Sequence, residues 1–232
     1  MTFFDRADAG RQLAEALAGF VERDGLLLAI PRGGVVIAAE VARLLNLSID
    51  LIIPRKIGAP NNPEVAIGAV TQDATTLLDH RLIKLLGISR GELEDRVAYE
   101  VGEIRRRMTL YGAGQNLEGS EGRQLIVIDD GVATGYTMQA ALRSARGFGP
   151  KELILAIPVA PSDTLEILKK EVDRAICLTV PENFYAVGQF YKCFEQTDDE
   201  EVVEIMQKFS GREYSRRIKN ISSQNTNCRT GR

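Results

Sequence analysis

Two adjacent carboxylates and a turn of small residues stand together near the middle of this 232-residue chain. Asp129 and Asp130 follow an apolar run, and Thr134 and Thr137 lie just beyond them among glycines and an alanine. Ionised carboxylates accept hydrogen bonds from neighbouring hydroxyls, so a vicinal diol would suit the acid pair. Small residues let an anion approach backbone N–H groups closely. The spacing therefore indicates a site for a sugar diol that carries a phosphate ester.

The order of these residues also predicts where they lie in a fold. Residues 125–128 form a continuous apolar run typical of a buried parallel strand, and helical periodicity begins at Thr137. Asp129 and Asp130 would leave the carboxyl end of that strand, where ligands bind in open α/β sheets. A buried strand with a polar end would be the better interpretation of an acid pair alone. The threonine-glycine turn attached to it favours the binding site.

Residues 127–137 (VIDDGVATGYT) resemble the loop that binds 5-phosphoribosyl 1-pyrophosphate (PRPP) in the type I phosphoribosyltransferases. The resemblance implies that the two acids hold the ribose hydroxyls and that the turn holds the 5′-phosphate. Gly131 replaces a usual aliphatic residue, and Tyr136 replaces a usual glycine or lysine. The implied contacts of the ribose 5-phosphate are Asp129, Asp130, Gly131, Val132, Ala133, Thr134, Gly135, Tyr136 and Thr137.

A second candidate segment, residues 30–36 (IPRGGVV), also follows an apolar run and opens a helical stretch. The N–H groups of Gly33 and Gly34 would face an anion there, and Arg32 would add a permanent charge. Alone the segment is a weak signal, because many glycine turns between strand and helix are only structural. Beside the first motif it resembles the family's pyrophosphate loop, which implies a non-proline cis peptide at Arg32–Gly33.

The third candidate segment, residues 53–70 (IPRKIGAPNNPEVAIGAV), is a candidate lid. Arg55 and Lys56 stand at the end of a predicted strand, and the prolines, asparagines and glycine after them predict a flexible loop. The resemblance implies a lid that closes over pyrophosphate and excludes water; a plain surface connection is the alternative. Residues 57–70 contain no lysine or arginine, so Arg55 and Lys56 would supply charge to the leaving group from the base of the lid.

The three segments together imply displacement of pyrophosphate from C1 of PRPP by a nitrogen nucleophile. Mg²⁺ would be held mainly by PRPP, and Asp129 and Asp130 are the candidate protein contacts of the metal. We expect Mg²⁺, Arg32 and Lys56 to stabilise the charge on the leaving group.

The general base is harder to assign. Hypoxanthine-guanine members of the family carry an aspartate where this chain has Ala133, so their arrangement is missing. Glu64 in the lid is the candidate base, as lid carboxylates are in adenine enzymes; a solvated loop glutamate is the simpler alternative. The single histidine, His80, stands at a predicted helix start, where a cap is expected rather than catalysis. A hydrolase would need an activated water, and the sequence indicates no position for one.

The acceptor site is the least defined part of the sequence. Residues 181–194 (PENFYAVGQFYKCF) are dense in aromatic side chains, in a chain that is 6% aromatic. They resemble the hood of purine phosphoribosyltransferases, in which an aromatic ring stacks on the base. Phe184 or Tyr185 would be that ring, whereas the later aromatics of the segment would equally well pack the hood onto the sheet. The lysine that reads a purine 6-oxo group has no counterpart in residues 157–162, so no acceptor is named.

Periodicity along the chain predicts an α/β fold: a parallel sheet of about five strands with helices on both faces, a small hood and a flexible lid loop. We expect one domain over residues 1–209, with the hood built from the N-terminal segment and residues 180–209. Residues 210–232 form a polar, basic tail, interpreted as disordered, with an RNA-contacting arm as the minor alternative. The predicted strands are residues 26–30, 49–53, 125–128, 153–157 and 174–178. The predicted helices are residues 7–21, 35–45, 89–111, 137–146 and 163–171.

Composition limits the class of protein. Hydrophobic residues make up 44% and charged residues 26% of the chain, ordinary values for a soluble protein. No secretory pattern opens the sequence, and three scattered cysteines without metal spacing favour a reducing cytoplasm. A net charge of −3 gives no electrostatic case for nucleic acid, and no apolar run suits a membrane. The expectation is a cytoplasmic, homodimeric transferase that uses PRPP, Mg²⁺ and a small acceptor. The alternative is a non-catalytic PRPP-binding regulatory module.

Overall fold

The computed structural model describes residues 2–114, 116–117 and 119–209, apart from the side chain of Glu64. Strands and helices alternate along this part of the chain, as the periodicity predicts. The strands are β1 (Leu26–Ala29), β2 (Ser48–Leu51), β3 (Arg55–Ala59), β4 (Asn62–Val70), β5 (Thr76–Leu78), β6 (Gln124–Ile128), β7 (Glu152–Val159) and β8 (Arg174–Thr179). The helices are α1 (Arg6–Leu17), α2 (Gly33–Leu45), α3 (His80–Leu85), α4 (Arg90–Tyr111), α5 (Tyr136–Gly147), α6 (Ser162–Leu168) and α7 (residues 199–209).

A five-stranded parallel sheet in the order β2-β1-β6-β7-β8 forms the centre of the molecule. The side chains of its strands alternate between two cores. Leu27 and Ile126 pack on the face that α1 and α2 cover, whereas Leu28 and Val127 pack on the face that α5 and α6 cover. Burial on both faces explains why these strands are continuous apolar runs in the sequence. The α/β prediction with five parallel strands is confirmed.

The candidate lid is a hairpin and not the predicted loop. β3 and β4 pair antiparallel, and β5 adds a third strand to this separate sheet. Ile57 and Ile67 are fully buried where the hairpin packs against α4 and α5. The prolines and asparagines of the segment predict a loop because they are typical of turns. In the structure they are concentrated around the bend at Pro60 and Asn61, while the apolar residues on either side form the strands.

The N-terminal segment pairs with the segment that follows β8. The N–H of Phe3 donates to the carbonyl of Phe190 at 2.8 Å, and the N–H of Lys192 donates to the carbonyl of Phe3 at 2.9 Å. α1 then crosses α2 closely at Gly10, where an added Cβ would lie 2.9 Å from the carbonyl oxygen of Ile37. These contacts bring the start of α1 to the carboxyl edge of the parallel sheet.

Helix ends follow local sequence signals where these are strong. Ser89 and Glu92 form a capping box at the start of α4, and Asp79 caps α3 with its carboxylate. The sequence predicts the helix start at His80, where α3 begins, but it does not predict α7. Of the helices in the described ranges, none is long and apolar enough to cross a bilayer. The predicted basic tail, residues 210–232, lies outside the described residues.

Candidate active site

The acid pair lies at the carboxyl end of β6, as the sequence order predicts. The N–H of Asp130 donates to Oδ1 of Asp129 at 2.8 Å, and the two carboxyl groups contact each other. Burial and the neighbouring Asp130 carboxylate raise the pKa of Asp129 well above its ordinary value. Burial also raises the pKa of Asp130, although the Arg6 guanidinium opposes that shift. The pair is therefore costly to ionise without a ligand.

Asp130 is held from two directions by residues far away in the sequence. Nε of Arg6 donates to Oδ2 of Asp130 at 2.7 Å, and the hydroxyl of Tyr191 donates to the Asp130 carbonyl at 2.6 Å. Burial, and next the Asp130 charge, raise the pKa of Tyr191, which keeps that hydroxyl protonated as a donor. Both contacts come from the paired N-terminal and hood segments. The sequence pattern does not predict a role for Arg6, and it predicts only a packing role for Tyr191.

The turn after the acid pair opens directly into α5. Gly135 has a φ of +81°, a left-handed conformation that favours glycine, and it caps a helix whose first turn has no side-chain cap. Thr134 and Thr137 are exposed, and the hydroxyl of Thr164 fixes the turn by donating to the Ala133 carbonyl at 2.8 Å. The backbone N–H groups at the start of α5 and the helix dipole make this turn suited to an anion.

Gly131 and Tyr136, the two departures from the usual motif, have structural explanations. A Cβ added to Gly131 would lie 2.6 Å from Val187 and 2.9 Å from Val159, so hood and strand side chains fill the space of the usual aliphatic residue. Tyr136 begins α5, and its hydroxyl lies 3.5 Å from the carboxylate of Asp79, the residue that follows β5.

The second candidate segment contacts the acid pair. A Cβ added to Gly34 would lie 2.8 Å from the Ile128 carbonyl and 2.9 Å from Cα of Asp129. A Cβ added to Gly33 would overlap Oδ2 of Asp130. Only glycine permits this approach, so the start of α2 lies directly against the end of β6. The cis peptide lies at Pro31–Arg32, which corrects by one residue the position implied by the family resemblance.

The side chain of Arg32 lies near Asp199, the first residue of α7. Its guanidinium lies 3.7 Å from Oδ1 of Asp199, which also accepts a 2.6 Å hydrogen bond from the Tyr111 hydroxyl. Burial and the Asp199 carboxylate raise the pKa of Tyr111 to about 12. This arrangement ties Arg32 to α4 and α7.

A basic cavity of about 360 Å³ lies at the base of the lid hairpin. Arg55 and Lys56 line it from β3, and Arg55 forms an ion pair with Glu100 of α4. Arg96 and Arg107 line it from the same helix, and within the described ranges Nε of Arg107 is buried without a hydrogen-bond partner. The sequence pattern does not identify Arg96 or Arg107 as candidate site residues. Their spacing to Glu100, four and seven residues, was the available signal that they share a helix face.

The two acceptor candidates have different environments. Phe184 is half-buried, stacks on Phe190 with ring centroids 5.5 Å apart, and lines a cavity of about 510 Å³ beside the start of α6. Tyr185 is 88% exposed. Of the two, only Phe184 lines this cavity.

Of the candidate base, Glu64, only the backbone is described. The backbone of Glu64 lies in β4, and its side chain falls outside the described part of the structure. His80 is the exposed first residue of α3, whose cap is Asp79.

Comparison with known proteins shows which family the chain matches. The model of the phosphoribosyl transferase domain family matches residues 6–192. Proteins from two strains of Mycobacterium tuberculosis, named provisionally as phosphoribosyl transferases, are each 36% identical over 206 residues, 89% of this chain and 46% of theirs. The crystal structure of the protein TT1426 from Thermus thermophilus is 37% identical, with a TM-score of 0.74 over 90% of this chain and 99% of that one.

The chain belongs to the phosphoribosyl transferase family. The acid pair, the glycine turn and the start of α2 all lie within the matched residues. The chain spans about half the length of the M. tuberculosis relatives that it matches.

Proposed function

We propose that the protein transfers the 5-phosphoribosyl group from PRPP to a nitrogen acceptor, a nucleobase or related heterocycle, and releases pyrophosphate. One observation carries the proposal: Gly33 and Gly34 pack directly against Asp129 and Asp130. Two anion-binding helix N-termini, those of α2 and α5, therefore flank a carboxylate pair suited to a diol. PRPP has a phosphate and a pyrophosphate on either side of a ribose diol.

Each part of the site has a role in this proposal. Asp129 and Asp130 hold the ribose hydroxyls, and the turn at residues 131–137 binds the 5′-phosphate. Arg32, Gly33 and Gly34 bind the pyrophosphate, with Arg55 and Lys56 contributing positive charge from the basic cavity. In the reaction the C1–O bond to pyrophosphate breaks, a C1–N bond forms, and the nitrogen loses its proton.

Carboxylate oxygens are the ligands that Mg²⁺ prefers, so the acid pair fits this ion. One oxygen of each acid is already held by the protein, which leaves the other for a hydroxyl or the metal. Among the described residues, no cluster of three or more histidines, cysteines or acids could hold a metal, so PRPP and water would supply the remaining ligands. Bound Mg²⁺ would neutralise charge on the leaving pyrophosphate.

The chain's own residues exclude water and take the proton. The sugar carbon gains positive charge as pyrophosphate leaves, and water would capture it in an open site. The hairpin β3–β4 covers the pyrophosphate side, and Glu64 on β4 is the proposed general base. Phe184 is the proposed stacking surface for the acceptor.

The test is pyrophosphate release from PRPP with Mg²⁺ across a panel of nucleobases and small heterocyclic amines. We expect acceptor-dependent release by the wild-type protein, and a loss of about 100-fold or more in the Asp130→Asn variant. A protein that binds PRPP tightly with Mg²⁺ but releases no pyrophosphate with any acceptor would contradict transfer. That outcome would favour a regulatory PRPP-binding module, the second candidate, which the missing carboxylate at Ala133 supports.

A further inference from the structure

Arg6 lies at the acid pair although it is 124 residues away from Asp130 in the sequence. Its side chain is 12% exposed, and that of Asp130 is 15% exposed. Long charged side chains are seldom this buried without a specific partner. Here the partner is one of the two carboxylates to which the proposed function assigns the ribose hydroxyls.

Three contacts fix the Arg6 guanidinium. Nε donates to Oδ2 of Asp130 at 2.7 Å, and one terminal nitrogen donates to the carbonyl of Glu195 at 2.6 Å. The flat face lies over the ring of Phe194, 3.9 Å from its centroid. A planar guanidinium can make edge and face contacts together, whereas a lysine ammonium cannot.

The backbone around Arg6 is built to permit this contact. Gly10 lets α1 approach α2, which places Arg6 beside the first turn of α2. A Cβ added to Gly33 would lie 2.7 Å from Nε of Arg6 and would also overlap the Asp130 carboxylate. Gly33 therefore leaves room for the ion pair as well as for an anion.

The contact with Arg6 determines the orientation of the Asp130 carboxylate. Arg6 holds Oδ2, and the Tyr191 hydroxyl holds the carbonyl of the same residue at 2.6 Å. Oδ1 is the oxygen that Arg6 does not hold. Without Arg6 the carboxyl group would lose the hydrogen bond that fixes its orientation.

We propose that Arg6 is a positioning residue of phosphoribosyl transfer, whose planar guanidinium fixes the Asp130 carboxylate in the orientation that receives the ribose hydroxyls. The proposal rests on the proposed function. It gives the N-terminal helix and the hood a direct part in binding the donor substrate.

The test compares PRPP affinity in the presence of Mg²⁺ for wild type, Arg6→Gln, Arg6→Lys and Arg11→Gln, by calorimetric titration. Arg11 lies on the same helix, is half-exposed and pairs with Asp8, so its variant removes the same charge away from the site. We expect Arg6→Gln to weaken PRPP binding about 10- to 100-fold, the usual cost of a buried charge-assisted hydrogen bond. Arg6→Lys should recover part of that loss, and Arg11→Gln should bind like wild type. The KM for the acceptor should not change in any variant.

Failure of this proposal and failure of the proposed function give different results. Wild-type protein that does not bind PRPP contradicts the proposed function. Wild-type protein that binds PRPP, with Arg6→Gln within twofold of Arg11→Gln, contradicts the role of Arg6 alone. If Arg6→Gln does not fold, Arg6→Lys decides: a loss of threefold or more in PRPP affinity supports the role, and wild-type affinity overturns it.

Discussion

Asp129 and Asp130 place two acids in a buried site where one charge disfavours the other. Because the pKa of Asp129 is raised in the fold, the folded protein binds a proton more tightly there than the unfolded chain does. The free energy of unfolding then falls as pH rises from the ordinary aspartate pKa through the raised one. This unfavourable charge is the cost of keeping two buried carboxylates side by side.

Asp129→Asn should therefore stabilise the protein at neutral pH while it abolishes turnover. An asparagine has no charge to bury, so the melting temperature should rise, by about 2–4 °C for each kcal/mol gained in a chain of this size. Turnover should fall about 100-fold or more, because the amide cannot replace the carboxylate. Thermal unfolding at pH 5 and pH 8 checks the first part. A melting temperature that falls equally at both pH values would contradict it.

PRPP binding should weaken on acidification. A proton shared by the acid pair must leave before both carboxylates accept hydroxyls, and the raised pKa values place this step above the ordinary aspartate range. The dissociation constant should rise up to about tenfold per pH unit below the pair's pKa. Titration with PRPP and Mg²⁺ from pH 5 to pH 8 measures this. Affinity that does not change across that range would show that the pair is already ionised.

At the residue scale, the sequence indicates those candidate site residues that stand close together along the chain. The acids and the turn follow β6 in one short segment, and the two glycines open α2, so their positions in the fold follow from sequence order. Arg6, Arg96 and Arg107 were missed because their relation to the site is made only by packing of α1 and α4. A contact across 124 residues leaves no local pattern.

The start of α2 packs against the end of β6 closely enough that residue 34 has no room for a side chain. Gly34→Ala would place a Cβ against the Ile128 carbonyl and Cα of Asp129, two backbone atoms that cannot move cheaply. We expect a loss of about 1–3 kcal/mol in the free energy of unfolding and a large loss of PRPP affinity. Gly102→Ala is the control: it lies in α4 with nothing within 4 Å of the new Cβ, and should stabilise by up to about 1 kcal/mol. Denaturant unfolding compares the two, and equal effects would contradict the close approach.

α4 adds the guanidinium groups of Arg96 and Arg107 to the basic cavity. If the basic cavity serves pyrophosphate, Arg107→Gln should raise the KM for PRPP about 5- to 10-fold, because it removes a guanidinium at a cavity that already holds Arg55 and Lys56. Arg105→Gln is the matched control, since Arg105 is exposed on the same helix and does not line the cavity. Steady-state kinetics at two ionic strengths measure both. Equal KM values for the two variants would remove α4 from the site.

At the element scale, the lid shows where local signals mislead. Its turn residues predicted a loop, whereas the apolar residues on either side pair as β3 and β4. Turn-forming residues, which predict a loop, and apolar residues, which form strands here, stand together in residues 53–70. Only packing against α4 and α5, which the sequence pattern does not encode, decides between them.

At the scale of the whole molecule, the parallel strands were predictable because four of the five are buried on both faces, whereas β8 at the edge of the sheet is only partly buried. β6 and β7 are apolar along almost their whole length, which no surface strand would be. The second, antiparallel sheet and α7 are only partly buried, so their patterns are weaker. The extent of the domain to residue 209, the homodimer and the basic tail stay predictions.

The most direct measurement is a crystal structure of the protein with PRPP and Mg²⁺ bound. We expect the ribose hydroxyls within hydrogen-bond distance of Asp129 and Asp130, and the 5′-phosphate at residues 133–137. The pyrophosphate should lie at Arg32, Gly33 and Gly34. A structure in which PRPP binds away from the acid pair, or does not bind at millimolar concentration, would contradict the proposed site.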